Sequence, residues 1–404
     1  MATGRVLYVQ YTNPGGYPPL VHSARLLADR GFEVLLLGTD ALASSMAFPA
    51  HPGVTVQLMP FQPGGWLQKL SYFRFASSAA ATAMTWRPSW IYASDPLSAP
   101  VALMLKQLLG VPVIYHEHDS PSSAVANGET GTSFMKVVMK SRRSLAQAAD
   151  LCVLPAGERA REFTATTGRG DVHVVWNCPA RAEAEPAPVQ PAGDALRLLY
   201  HGSIVPARVP KEILYAIAVL PPVITLTVVG YATSGHESYV HELTALAAQL
   251  GLSDRVRFMG PMSRDELMRR CGDSDAGLSL LPMGSTDINE RSMVGASNKP
   301  FDYLARGLPV VVSELPDWVE TFVTPGFGRS CDSRSPESIA VVLRWMLEHP
   351  RERALMGERG RQRILDGWNY DAQFAPVLAR MTAGAVDGAT SIEAANQVKP
   401  TLPC

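Results

Sequence analysis

The chain has 404 residues, 47% hydrophobic and 18% charged, with a formal net charge of −1. That length exceeds what one hydrophobic core serves and suits two domains of roughly 150–200 residues each. Balanced charge offers no excess of clustered cations for a nucleic acid, and no window approaches the roughly 18 consecutive apolar residues that a membrane span needs.

The opening "MATGRVLYVQ" enters a strand-like run with no charged segment and long apolar stretch ahead of it. The five cysteines (Cys152, Cys178, Cys271, Cys331, Cys404) are scattered, odd in number and never in a C-x-x-C pair. This argues against a zinc site or disulfide framework and for a reducing compartment, so a cytoplasmic protein is expected.

Along the first half, short apolar runs alternate with helical patterns. "RVLYVQY" (5–11) reads as a buried strand, 16–31 as a helix ended by Gly31, and "FEVLLLG" (32–38) as the next strand. Strand patterns follow at 54–60, 90–95, 111–119, 151–155 and 172–177, with helices at 96–110 and near 133–149. Such alternation predicts βαβ units and a parallel sheet buried on both faces. Residues 178–195, "CPARAEAEPAPVQPAGDA", lack periodicity and read as a linker. The pattern then restarts: strands at 196–202, 224–230, 255–260, 276–282 and 308–313, with helices between them and at 335–348 and 350–367. We therefore expect an α/β protein of two Rossmann-like, doubly wound domains, 1–185 and 195–368, facing across a cleft. A last helix over about 369–385 completes the first domain, and a disordered tail runs from 386 to 404.

Chemistry-bearing residues fall at strand ends, where open parallel sheets bind ligands. Gly15 and Gly16, in "TNPGGYPPL", sit where a backbone can approach a ligand and a helix start favours anions; the plain alternative is a flexible turn. "YHEHDS" (115–120) gathers two histidines and two carboxylates, of which His118 could donate to a substrate hydroxyl or to developing charge. A solvated loop is the competing reading there, and a metal site lacks the ligand spacing to support it. In the second half Gly202, Gly230 and Gly260 each end a strand and together make a floor for a flat base. Arg208, Lys211 and Lys299 stand beside helix starts, and Arg208 with Lys299 could neutralise two phosphates. Asp302, one turn into its helix, could accept from the vicinal hydroxyls of a ribose. The structural alternative makes Asn298 an N-cap and Asp302 a partner of the helix dipole. In "GGWLQKLSYFRFA" (64–76), Trp66, Leu70 and Phe73 form one stripe beside Lys69 and Arg74. Packing on the helix's own sheet is the ordinary account, and peripheral contact with an anionic membrane through 66–75 the alternative.

On these residues the chain resembles a GT-B glycosyltransferase over about residues 5 to 380, close to retaining glycosyltransferase family 4. "SNKPFDYLARGLPVV" (297–311) is similar to that family's Asn-Lys-x-x-Glu-Tyr-x-x-x-Gly-x-Pro-Val-Val signature, with Asp302 in the Glu position. "VVGYA…LGLSDRVRFMGPMSRDELMRRCGDSDAGLSLLP" is similar to the nucleotide floor, "YASDPLSAP…VPVIYHEHD" to an Asp-then-His segment at Asp95 and His118, and "WNY" (368–370) to the crossing back. The resemblance implies a nucleoside-diphosphate sugar donor, UDP-linked, on the second domain, with Gly202, Gly230, Gly260, Ser297, Asn298 and Asp302 as donor contacts. His118, Arg208 and Lys299 would carry catalysis. Gly15, Gly16 and Asp95 would lie on the acceptor side, toward a hydroxyl of a glycan, glycolipid or natural product. It implies same-face transfer without metal or cofactor. Two positions depart from the pattern. The first Glu of the family's Glu-x7-Glu pair is Val294, with Glu290 four residues off register, and the arginine after the phosphate-loop glycine is Ser203. A non-catalytic GT-B subunit and a sugar-nucleotide epimerase are the alternatives that these departures and the "HEHD" stretch keep in view.

Overall fold

The computed structural model describes residues 4–41, 47–62, 65–184, 194–233 and 235–396, with side chains as far as residue 383. The chain divides into two compact units, each an α/β sandwich around one parallel sheet.

Unit 1 comprises residues up to 41, 48–175 and Asp371 onward. Its strands are β1 (Gly4–Gln10), β2 (Phe32–Thr39), β3 (Val54–Met59), β4 (Trp90–Ser94), β5 (Val113–His116), β6 (Leu151–Leu154) and β7 (His173–Val174). They lie in the order β3-β2-β1-β4-β5-β6-β7, all parallel. The helices between them are α1 (Pro18–Asp29), α2 (Trp66–Trp86), α3 (Ala99–Leu109), the one-turn α4 (Ser123–Ala126), α5 (Ser133–Ala148) and α6 (Gly157–Thr167). Central strands are buried on both faces, which is why "VLYV" of β1 and "VLLL" of β2 are continuous apolar runs rather than alternating ones. β3 at the edge alternates instead.

Among the described residues, unit 2 comprises essentially 176–370. Its strands are β8 (Leu196–Ser203), β9 (Ile224–Tyr231), β10 (Val256–Met259), β11 (Ala276–Ser279), β12 (Val310–Ser313) and β13 (Gly328–Cys331), ordered β10-β9-β8-β11-β12-β13 and parallel. Its helices are α7 (Glu212–Ala218), α8 (Tyr239–Gln249), α9 (Arg264–Gly272), α10 (Ile288–Arg291), α11 (Lys299–Ala305), α12 (Pro316–Trp318), α13 (Pro336–Glu348) and α14 (Pro350–Asp366). Two apolar clusters cover the two faces of this sheet. The final helix, α15 (Tyr370–Asn396), returns the chain to unit 1.

Two expectations are corrected. Residues 176–184, placed with the first domain by sequence, pack with unit 2. Asn177 donates through its backbone to Gly295 O (2.7 Å) and through its side chain to Ala296 O (2.8 Å), and Trp176 rests against Phe301 and Trp368. The stretch after 386, expected to be disordered for want of an apolar period, is helical as far as Asn396. Residues 397–404, like 185–193 of the expected linker, lie outside the described residues.

Candidate active site

In unit 2 the strand order reverses between β8 and β11, so their carboxyl ends frame the crevice that open parallel sheets use for ligands. Gly202 of β8 and Gly230 of β9 stand in register. A Cβ on Gly230 would lie 1.8 Å from the Gly202 carbonyl oxygen, so the two backbones meet only because Gly230 lacks a side chain. The Lys299 side chain fills the space beside Gly202, whose imagined Cβ would sit 2.9 Å from Lys299 Cε. The ammonium stands 5.5 Å over the Tyr200 ring.

Tyr303 fixes this arrangement. Its ring lies on Gly277 of β11, where a Cβ would be 2.1 Å away. Its buried hydroxyl accepts from His201 N (3.1 Å) and donates to Leu278 O (3.2 Å). One phenol thus ties β8 to β11 beyond their short ladder and sets α11, with Lys299 at its first position, over the switch point.

Three polar groups here are unspent. Lys299 is half-buried, and the loss of solvent around its ammonium lowers its pKa to about 7, with the neighbouring Arg208 charge adding to the shift and Asp302 opposing it. Arg208 reaches the Met293 sulfur at 3.7 Å, a weak acceptor. Asn298 occupies the N-cap position but makes no capping bond, and its Oδ1 is buried without a hydrogen-bond partner. Capping therefore does not account for Asn298. Two clustered cations and an open amide suit an anionic, hydroxyl-bearing ligand.

Asp302 departs from its expected role. It is 1% exposed, and both carboxylate oxygens accept from Arg264 (2.8 and 3.2 Å), which also holds Glu183 at 2.5 Å. His201 Nε2 stands 3.5 Å from the same carboxylate, and burial, then the charges of Lys299 and Arg264, keeps that imidazole neutral. A ribose could reach Asp302 only by displacing Arg264. The Arg264–Glu183 pair was missed from sequence because its members lie 81 residues apart. Gly260 is exposed, and unlike at Gly202 and Gly230 a Cβ there meets no protein atom within 4 Å. Ser297 is buried and its amide donates to Met293 O (2.9 Å). Val294 packs against the apolar cluster, and Glu290 accepts from Ser285 (2.7 Å).

In unit 1 the order reverses between β1 and β4. Just past β4, Asp95 takes φ +64 and ψ 163, a conformation side chains rarely adopt, worth roughly 1–3 kcal/mol of strain. The strain aims its carboxylate at the end of β5, where Oδ1 accepts from His118 N (2.8 Å) and Oδ2 from Gln10 Nε2 (3.5 Å). Burial, then the charge of Asp119, raises Asp95 to about 7. His118 is 5% exposed, neither of its ring nitrogens has a hydrogen-bond partner, and burial first, then Arg159, lowers its pKa to about 3. It lies between His116 and Tyr17, with ring centroids at 4.0 and 5.4 Å. His116 is held by Tyr92 at 2.6 Å. A neutral, unpartnered imidazole beside a strained carboxyl can donate to or accept from a ligand hydroxyl. The solvated-loop reading fails for His118 and holds for Asp119, whose side chain is 75% exposed. Glu117 is structural, buried against Arg142 at 2.6 and 2.8 Å.

Gly15 and Gly16 are not an anion site. Asn13 already accepts from both amides (3.0 and 3.2 Å), and α1 begins with Pro18 and Pro19, which have no N–H to offer. Among the described residues no group of three His, Cys, Asp or Glu side chains is placed to hold a metal.

Two sheets with strand-order reversals, each with polar groups at its carboxyl edge, define a GT-B architecture. The sequence profile described as "Glycosyl transferase 4-like domain" matches residues 20–178, and that described as "Glycosyl transferases group 1" matches 182–363. The chain belongs to the GT-B glycosyltransferases. It is 23% identical over 434 aligned positions to a glycogen synthase of Mycobacterium tuberculosis, covering 99% of this chain and 98% of that protein. It is 27% identical to a D-inositol 3-phosphate glycosyltransferase of Streptomyces avermitilis, covering 68% of this chain and 61% of that one. Among solved structures, Anabaena HepE in complex with UDP and glucose superposes with a TM-score of 0.69 at 18% identity, covering 94% of this chain and all of that one. Sucrose-phosphate synthase from Thermosynechococcus elongatus gives 0.69 at 15% identity, covering 97% and 100%.

Proposed function

We propose that the protein is a retaining glycosyltransferase that moves a sugar from a UDP-linked donor to a hydroxyl acceptor, without metal or cofactor. The observation that carries this reading is the unspent trio of Lys299, Arg208 and Asn298 at the switch point of unit 2. Lys299 and Arg208 neutralise the diphosphate as it departs, taking the place of a metal and of the cation that Ser203 does not supply. Asp302 acts through its neighbours: with Arg264 and Glu183 it holds the start of α11 and so positions Lys299. In unit 1, His118 donates to a hydroxyl of the transferred sugar, and Asp95 faces the acceptor. UDP is favoured because HepE, which has this fold, was solved with UDP and glucose bound.

The test is a thermal-shift series with UDP, GDP, ADP and dTDP, each with and without magnesium, followed by anomeric analysis of the product by NMR. A ligand at 100 times its Kd stabilises by about 2.7 kcal/mol. The expected result is a shift with UDP alone, independent of magnesium, and a product that keeps the donor's anomeric configuration. No shift with any nucleotide would instead support a non-catalytic subunit, the reading that Val294 and Ser203 favour.

A further inference from the structure

The two faces of the unit 2 sheet differ at the amino-terminal ends of β8, β9 and β10. On one face Leu198, Leu226 and Val256 are buried in an apolar cluster. Side chains in register across a parallel sheet share a face. On the opposite face Arg197 stands beside Thr225, and the next row sets Leu199, Thr227 and Arg257 side by side. These residues, with Arg255 and Arg270, line a cavity of about 250 Å³. A covered face of a parallel sheet is ordinarily apolar; this one presents guanidinium groups and hydroxyls to an opening.

The four arginines are not equally satisfied. Arg197 is held by Asp275 at 2.8 and 3.2 Å, and Arg270 by Glu266 at 3.2 Å. Arg255 is pinned by backbone carbonyls, donating to Pro221 O (2.9 Å), Ile224 O (3.1 Å) and Leu220 O (3.2 Å). Partial burial is the one cause that moves its pKa, and it moves it down, as for a cation with no carboxylate close by. Arg257 is exposed and has no ion-pair partner among the described residues. The cavity therefore holds one fixed guanidinium and one free one, both without a counter-ion, and a phosphate can accept from two such forks at once. Thr225 and Thr227 add hydroxyls, and the exposed Asp254 and Asp273 stand at the same opening. Carboxylates repel a phosphate but accept from hydroxyls, so the lining suits a ligand with one anionic and one hydroxyl-bearing end. Among the described residues no aromatic ring lines the cavity, so a nucleotide base has nothing to stack on. Its volume, small for a ligand site, admits one small molecule. Gly202 and Gly230 lie five residues further along the same strands, roughly 16 Å away, so this is not the donor site.

We propose that this cavity binds a small phosphorylated polyol of the sugar-phosphate class. The phosphate lies between Arg255 and Arg257, and the hydroxyls meet Thr225, Thr227 and the two aspartates. The site does not depend on the sugar-transfer reading and stands or falls separately from it.

The test is isothermal titration calorimetry of the full chain at low salt with glucose 1-phosphate. Inorganic phosphate and glucose serve as controls, and each titration is repeated with saturating UDP. Glucose 1-phosphate is expected to bind at one site, more tightly than inorganic phosphate, while glucose alone does not bind. Its affinity should fall as salt rises and be unchanged by UDP. Arg257→Gln should lower it at least about tenfold and Thr227→Val by about threefold, as loss of a charged and of a neutral hydrogen bond would. Both variants should keep the wild-type unfolding temperature and UDP affinity, and Lys299→Met should keep the affinity for glucose 1-phosphate. Absence of binding overturns the proposal, as does binding that Arg257→Gln leaves intact. Displacement by UDP, or loss in Lys299→Met, would put the ligand in the donor site and overturn it as well. Equal affinity for inorganic phosphate would overturn the assignment of a polyol.

Discussion

Replacing Arg264 by Leu tests the reasoning about Asp302 most directly. The guanidinium is the shared partner of two carboxylates, one of them 1% exposed, and its side chain is itself only 15% exposed. Removing it leaves Asp302 buried beside a neutral His201, with its carboxylate pushed further toward protonation by burial and the nearby Glu183. Breaking a buried pair from one side costs about 3–5 kcal/mol. At roughly 2–4 °C per kcal/mol for a unit of this size, that is a fall of about 6–20 °C in the unfolding temperature of unit 2. The assay is calorimetry or urea unfolding of the single variants and of Arg264→Leu/Asp302→Leu. The double variant leaves no uncompensated buried charge at Asp302, so it should recover part of the loss and give a favourable coupling energy. A single-variant loss under about 1 kcal/mol, the size of a surface pair, would refute the argument. So would strict additivity of the two changes, since residues in one ion-pair network must couple.

Other outcomes follow from the same geometry. Gly230→Ala should cost at least about 1–3 kcal/mol and abolish UDP binding, because its Cβ meets the Gly202 carbonyl; Gly260→Ala should be neutral, and urea titration with a UDP thermal shift reads both. Lys299→Met should weaken UDP binding and change its pH dependence. In the wild type the folded pKa of about 7 lies below the ordinary 10.5, so between them the unfolded chain holds a proton the native state has released and unliganded stability from this group rises with pH. A bound diphosphate draws that proton back, so UDP affinity falls as pH rises above about 7, and calorimetric titration of Lys299→Met should lose that slope. His118→Ala should leave UDP affinity intact and lower turnover; loss of affinity alone would move His118 away from the transferred sugar. Asp95 has its folded pKa raised to about 7 from 3.8, so its stability contribution falls as pH rises through that window, and Asp95→Asn should flatten unfolding curves there.

The fold was legible because its signal is local. Continuous apolar runs of four to seven residues, spaced by amphipathic segments, admit few arrangements other than two parallel sheets, and the glycines next to last in β8 and β9 marked the strand ends. What stayed hidden depends on partners distant in sequence. Glu183 and Arg264 are surface-type residues by composition, and only folding brings them to Asp302. The stripe on α2 was legible as a stripe, but periodicity does not say which of two amphipathic faces meets the sheet. Here Tyr72, Phe75, Ala79 and Ala83 take the buried face and leave Trp66 and Phe73 exposed. Asn13 shows the same limit on a smaller scale, since its side chain took the Gly15 amide and its backbone carbonyl the Gly16 amide that were expected to be on offer.

The two switch points spend their polar groups in opposite ways, and that contrast bears on mechanism. In unit 2 the carboxylate is neutralised within the protein, so on the proposed reading the cation beside it carries the unmet demand: Lys299 is half-buried, and it would gain most from an incoming diphosphate. In unit 1 the carboxyl is strained and the imidazole unpartnered, so this site accepts and donates hydrogen bonds rather than balancing charge. The proposed function therefore assigns an anion to unit 2 and neutral hydroxyls to unit 1. This division predicts that free UDP and inorganic diphosphate stabilise through Lys299 and Arg208, and that neither responds to His118→Ala. A diphosphate shift that His118→Ala removes and Lys299→Met leaves would reverse the assignment of the two halves.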